Sequence, residues 1–400
     1  MRALAVVGLS ASGLLAAAAA GWLAARGLSD EGEQRPALPQ LDLGAGRPEP
    51  ERREAVSTHE PGTPPAARVG DPLIALNNQG IEALDAGDLE AAIALFEECY
   101  QGDPDQAVYR RNLAEALARR AHLEREEGRF PEALATLRYA VEVAPEREDL
   151  AELLARWERE AEIEESHWVD RSIHFALSYD GQRRDVLHGY QRVLDLLEEA
   201  YADLRDEYGI DPVTLSDPRI KVVLYHPENF DALTGLGDWA GGVFDGVIRV
   251  PVQNLEAELG HLREVLRHEL SHAFTRSAGG RGVPGWLNEG VAQLFEGPHA
   301  EHVARARQRL AHHIGTGGQL FPLERLAGSL TSWTDRSEIE LAYAQSLAFV
   351  DHIERTYGRR ELMGLIGNVS EGQSLADAFQ ARTLVPLETA LIDFELGLTP

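Results

Sequence analysis

Cysteine is almost missing from this chain: Cys99 stands alone in 400 residues. A single thiol excludes an intramolecular disulfide and any Cys-rich zinc module, so a bound metal would have to be held by imidazole and carboxylate. Basic residues are also short, 38 Lys and Arg against 66 Asp and Glu, which leaves a formal net charge of −28. A field of that sign repels phosphate backbones, so nucleic acid is not an expected partner. Long apolar runs are lacking except at the N-terminus. What remains is an ordinary globular composition, 44% apolar and 26% charged, which excludes collagen-like and wholly disordered chains. The length suggests two or three domains.

The exception begins at Arg2 and continues as an alanine-rich apolar stretch from Ala3 to Ala25, broken only by Ser10 and Ser12 and closed by Arg26. A basic start before an apolar stretch reads as an export signal. Its length equally suits a membrane anchor. Ala18-Ala19-Ala20 offers a small-x-small cleavage site, whereas Trp22 and Arg26 suit retention at the membrane interface. Residues 1–28 are therefore read as a signal peptide or an anchor, with both alternatives open. No cysteine follows for lipid attachment. Residues 29–71 hold Pro36, Pro39, Pro48, Pro50, Pro61, Pro64 and Pro65, seven of the chain's 20 prolines. With many charges and almost no aromatics, they are expected to form a disordered linker.

Residues 72–167 read as helices only. Gly87, Ala92, Phe96, Cys99 and Pro104 match Gly128, Ala133, Leu137, Ala140 and Pro145, each pair 41 positions apart. Small, large and small residues followed by a terminal proline fall at the offsets of tetratricopeptide (TPR) repeats. The period exceeds the usual ~34 by two helical turns, placing an extension around Arg111 to Glu127. Arg147 to Ser166 is expected to cap the array. Such helices build a groove for a protein or peptide partner, or serve as a spacer that binds nothing. Cys99 takes a small-residue position and is expected to be buried and inert.

The chemistry lies further on. Val265 to Phe274 reads V-L-R-H-E-L-S-H-A-F, with Leu262, Val265, Leu266, Leu270, Ala273 and Phe274 at helical spacing. On that helix His268 and His272 lie one turn apart on one face, as two imidazoles must to reach one ion. Glu269 lies beside them. A Gly-rich break at Gly279, Gly280 and Gly282 precedes V-P-G-W-L-N-E-G-V-A-Q-L-F-E, from Val283 to Glu296. Pro284 suits a helix start, and Leu287, Val291, Leu294 and Phe295 form a buried stripe. A short loop lets the second helix pack antiparallel, which returns Glu289 over the histidine pair. Gly290 and Ala292 permit a close helix approach. Two His and one Glu with an open fourth position make a hydrolytic zinc site.

H-E-L-S-H-A-F, W-L-N-E-G-V-A and the upstream G-G-V-F-D-G-V-I-R-V-P from Gly241 to Pro251 resemble the gluzincin metallopeptidases, and specifically the peptidase-MA-like domain often attached to TPR repeats in bacterial proteins. The resemblance spans roughly Ile173 to the C-terminus. It implies that His268, His272 and Glu289 bind Zn2+, and that Glu269 is the general base for a zinc-activated water attacking a peptide bond. Thermolysin-like relatives carry an acidic residue four positions past the third ligand; here that position is Gln293, which leaves the partner of the zinc histidines unassigned. The resemblance also points to Tyr343, in E-L-A-Y-A-Q-S-L-A-F-V, as an oxyanion donor. A buried structural tyrosine fits that position as well.

Upstream, Ser172 to Tyr179 alternates and Ile220 to Tyr225 is β-rich. Asp245-Gly246 reads as a hairpin turn, and Pro251 marks an edge strand. Because gluzincins hold the substrate backbone as an added strand, Val247, Ile248, Arg249 and Val250 are the candidate substrate-binding edge, with an ordinary sheet edge as the alternative. His299, His302, His312 and His313 read as solvated. No further acidic motif stands ready to hold a free amine.

The expectation is a predominantly helical α+β protein. TPR-like hairpins at 72–167 precede a zincin-type domain at 168–400 with a mixed sheet, an active-site helix and a helical C-terminal half. Its expected function is an exported zinc endopeptidase, periplasmic or membrane-anchored with the catalytic domain outside the cytoplasm. Its expected partners are a peptide or protein substrate, a protein on the TPR groove, and the membrane through the N-terminal segment only. The alternative is a catalytically inactive peptidase fold serving as a TPR interaction scaffold.

Overall fold

A computed structural model of the chain describes residues 72–212, 219–234, 241–297, 299–330, 333–370 and 372–398. The export or anchor segment and the linker lie outside the described residues. The described chain divides into two compact units, with the boundary in the sequence between Arg159 and Glu160.

The first unit is helical: α1 (Pro72–Asp85), α2 (Leu89–Gly102), α3 (Ala107–Glu126), α4 (Phe130–Val143) and most of α5 (Glu148–Glu165). Sequence-adjacent helices pack in turn, α1 on α2, α2 on α3 and α3 on α4. Gly87 and Gly128, the aligned glycines, both end a helix with positive φ, 81° and 75°, where a side chain would be strained. The extension expected ahead of Gly128 is helical: α3 has 20 residues where α1 has 14. Ala92, Phe96, Cys99, Ala133, Leu137 and Ala140 are all buried. The Cys99 thiol, which burial pushes up, points at the Leu73 carbonyl at 3.4 Å.

The second unit is a small mixed sheet set among helices. Its strands are β1 (His167–Arg171), β2 (Phe175–Asp180), β3 (Ile220–Tyr225), β4 (Val243–Phe244) and β5 (Ile248–Pro251), in the order β1-β2-β3-β5-β4. β2, β3 and β5 run parallel; β1 and β4 flank them antiparallel. Parallel neighbours need a crossover, and α6 (Arg184–Tyr208) supplies it between β2 and β3. Val186, Val193, Leu197, Tyr201, Leu204 and Tyr208 give α6 one buried stripe. Strand alternation sorts the sheet's two faces. Leu177, Val222, Leu224, Ile248 and Val250 join the main core with α6 and α8 (Leu255–Gly279). Val223, Tyr225 and Val247 pack on the other face with Phe230 and Leu233 of α7 (Pro227–Thr234).

Two expectations for the sheet change. β1 was not foreseen, because its H-W-V-D-R sequence buries little and carries no alternating apolar signal. The expected edge Val247 to Val250 is covered at its centre: Ile248 and Arg249 of β5 are paired to β3 on one side and to β4 on the other. Among the described residues β4 is the edge on that side. Pro251 gave the wrong cue because β4 reaches only Ile248 and Arg249, so proline's missing N–H has no partner strand there to disappoint.

The rest of the unit is helical, with α9 (Gly285–Phe295), α10 (His299–Gly315), α11 (Arg336–Tyr357), α12 (Arg359–Ser370), α13 (Leu375–Thr383) and α14 (Leu387–Leu396). Among the described residues no helix is long and apolar enough to cross a membrane. α9 is fixed between α8 and α11. Its first amides, Gly285 and Trp286, donate to the carbonyls of Ala327 and Leu326 at 2.7 and 2.8 Å, satisfying donors that a helix start leaves unpaired. Gly290 faces α11 so closely that a Cβ there would lie 2.5 Å from the Ser346 carbonyl oxygen and 2.4 Å from Val350 Cγ2. Gly290→Ala should therefore destabilise the protein by about 1–3 kcal/mol, read by urea denaturation; an unchanged midpoint would mean that α9 and α11 separate without cost.

Candidate metal centre

α8 begins at Asn254, whose side chain accepts from the Ala257 amide at 3.1 Å, and it runs unbroken for 25 residues through the H-E-L-S-H motif. His268 and His272 project from one face with ring centroids 4.9 Å apart. α9 returns antiparallel after the glycine break and brings Glu289 between them. Glu289 Oε2 lies 3.5 Å from His268 Nε2 and 3.7 Å from His272 Nε2. The three residues form the one metal-competent cluster among the described residues. Donors about 2.0–2.1 Å from a tetrahedral zinc sit roughly 3.3–3.4 Å from one another; the two Glu–His distances are close to that, and all three donor atoms lie within 4.8 Å of one another. Glu289 Oε2 is moreover buried and accepts no hydrogen bond. A buried carboxylate oxygen without a donor is costly, and a cation is the partner that the donor set calls for.

The electrostatics agree. Burial works against charge on Glu289, yet His272, His268 and the Tyr343 hydroxyl hold its carboxyl below the ordinary value. Burial likewise disfavours a proton on His268, but Glu289 and Glu296 outweigh it and push the imidazole well up. His272 is pushed down by burial, with His268 adding to the effect. The site is thus anionic on its carboxylate side and favours positive charge at its centre.

Glu296 is the residue that the sequence reading missed. Its Oε2 accepts from His268 Nδ1 at 3.1 Å, which fixes the ring so that Nε2 faces Glu289. The position expected to do this, Gln293, instead donates to the backbone carbonyls of Glu289 and Tyr343 at 3.2 and 3.1 Å, joining α9 to α11. Glu296 lies about one helical turn beyond Gln293, at the end of α9. Arg267 holds that end against α8 by donating from Nε to the Phe295 carbonyl.

Glu269 is buried beside the histidines. Burial pushes its carboxyl up to about 8 against the pull of His268. The backbone of the sheet edge passes directly over it: a Cβ on Gly242 would lie 2.9 Å from Glu269 Cγ. Tyr343, half-buried on α11, directs its hydroxyl to Glu289, so it belongs to this site. Of the histidines read as solvated, His312 is exposed, His302 and His313 are half-buried, and the side chain of His299 lies outside the described residues.

Glu296→Gln should weaken zinc binding by about 10–100-fold, the usual cost of losing a carboxylate behind a ligating histidine, measured by competition with a chromophoric chelator. Unchanged affinity would show that Glu296 does not orient His268.

A family profile described as Peptidase MA superfamily matches residues 202–388, which include all four motif residues and Tyr343. No curated protein matches the chain. Residues 202–388 are a domain of the Peptidase MA superfamily, of the gluzincin type.

Proposed function

We propose that this protein is a zinc-dependent endopeptidase, exported or membrane-anchored through residues 1–28, in which the helices of residues 72–167 act as a TPR adaptor for a protein or peptide partner. The observation that carries the reading is the convergence of His268 Nε2, His272 Nε2 and the unpartnered Glu289 Oε2, with Glu269 beside them, inside a Peptidase MA domain. The paired left-handed glycines at 87 and 128 and the serial packing of α1 to α4 support the repeat reading.

His268, His272 and Glu289 would hold the metal, and Glu296 orients His268. Zinc bound there supplies a Lewis acid that lowers a water's pKa from ~15.7 towards ~7 and favours the ionised form of Glu269. Glu269 takes the proton of the attacking water on its carboxylate and passes it to the leaving amine. Its buried position excludes bulk water that would otherwise compete for that proton. Tyr343 donates its hydroxyl to the oxyanion that develops on the scissile carbonyl. Gly241 to Phe244, at the open edge of the sheet, holds the substrate backbone as an added strand. This segment takes the role expected for Val247 to Val250, of which Ile248 and Arg249 are already paired on both sides.

Glu269→Gln should keep its zinc and fold but lower casein cleavage by about 10²–10⁴-fold, the range that general acid–base catalysis supplies; cleavage at the wild-type rate would contradict the mechanism. Tyr343→Phe should lower kcat by about 10²–10³-fold if its hydroxyl serves the oxyanion. A change of less than about twofold would reduce Tyr343 to packing.

A further inference from the structure

The sheet edge that passes over Glu269 is not held by its own ladder. β4 contributes two residues, bridged to β5 through Val243↔Arg249 and Phe244↔Ile248, and the chain turns at Gly246 with φ of 94°. A hairpin this short has little independent stability.

A buried ionic cluster on the sheet face away from α8 supplies what the ladder lacks. Arg249 is 2% exposed and shares its face with its cross-strand partners Val223 and Val243. Its Nε and Nη2 both donate to Glu160 Oε1, at 3.0 and 2.6 Å. Its Nη1 donates to Asp245 Oδ1 and, at 3.4 Å, to the Val247 carbonyl. One guanidinium therefore fastens both sides of the turn and ties them to Glu160, itself 1% exposed. Glu160 has its own anchor. Glu164, one turn further along α5, accepts from Lys221 Nζ at 2.5 Å and from the Tyr225 hydroxyl, and Ile163 packs on the same face. A buried ion cluster of this kind adds little net stability, because desolvation offsets the attraction. What a planar fork between two carboxylates does fix is geometry.

We propose that Glu160, Arg249 and Asp245 form a clamp that positions the β4 edge for substrate. They are positioning residues: none reaches the metal ligands, and their effect passes chiefly through Val243 and Arg249 to the backbone at Gly242 over Glu269, with the Asp245 charge a last, minor contribution to the upward push on Glu269. The proposal rests on the reading of β4 as the strand that receives the substrate.

The test uses the full chain loaded with zinc. Asp245 is 30% exposed, so Asp245→Asn opens one arm of the clamp and leaves the Arg249–Glu160 pair intact. Arg249→Met would strand two carboxylates and is the variant at risk of not folding. Two readouts are taken on Asp245→Asn and on the charge-preserving Asp245→Glu: hydrogen exchange of the 243–248 amides, and KM and kcat on fluorescein-labelled casein. The clamp predicts exchange faster by about tenfold or more across the hairpin with α8 unchanged. It also predicts KM raised about tenfold with kcat within about twofold, and recovery of both in Asp245→Glu. Unchanged hairpin exchange overturns the clamp, as does faster exchange without a rise in KM. Should the wild-type protein cleave no casein, it is the peptidase reading that fails, and exchange alone decides whether the clamp holds the hairpin.

Discussion

A carboxylate buried between two imidazoles, with one oxygen that no donor satisfies, is an arrangement a folded chain holds only at a cost unless a cation shares it. Glu289 is in that position, and much of the second unit serves to keep it there. α8 carries the histidines on one face, and the glycine break sends the chain back. The carbonyls of Leu326 and Ala327 receive the first amides of α9. Gly290 lets α9 close on α11, and Gln293 ties the two backbones. Each contact is small, and together they leave Glu289 no other place to go.

The same economy governs the residues around the ligands. Glu296 and Arg267 act on one end of α9, the first orienting His268 and the second holding the backbone from which Glu296 projects. The sheet contributes an edge rather than a ligand. Its inner face packs on α6 and α8, its outer face carries Arg249 with Glu160, and its last strand passes over the buried Glu269. The helices that position the His-His-Glu cluster and the strand proposed to position the substrate are thus set by separate contacts, apolar packing and backbone hydrogen bonds for the first and a buried ionic cluster for the second.

The metal cluster was legible because its information is local. Four-residue spacing on one helix, and one short loop before the next, decide where His268, His272 and Glu289 meet. Glu296 was not legible, because whether position 293 or position 296 reaches His268 depends on how the end of α9 lies against α8. The β-runs of β2 and β3 were readable from alternation. β1 was not, since its own composition and burial resemble those of a loop. The edge was misassigned because Pro251 reports the absence of a neighbour at one residue, while strand order is a property of the whole sheet. Gly87 and Gly128 were readable as a pair, and their shared left-handed backbone gives the 41-residue spacing a physical meaning.

An ion among three side chains is what the proposed chemistry requires. The most direct measurement is zinc content by elemental analysis of the purified protein beside Glu289→Ala. About one zinc per chain in the wild type, lost or greatly weakened in the variant, is the predicted result. No zinc after resupply with metal, or equal zinc in both proteins, would contradict it.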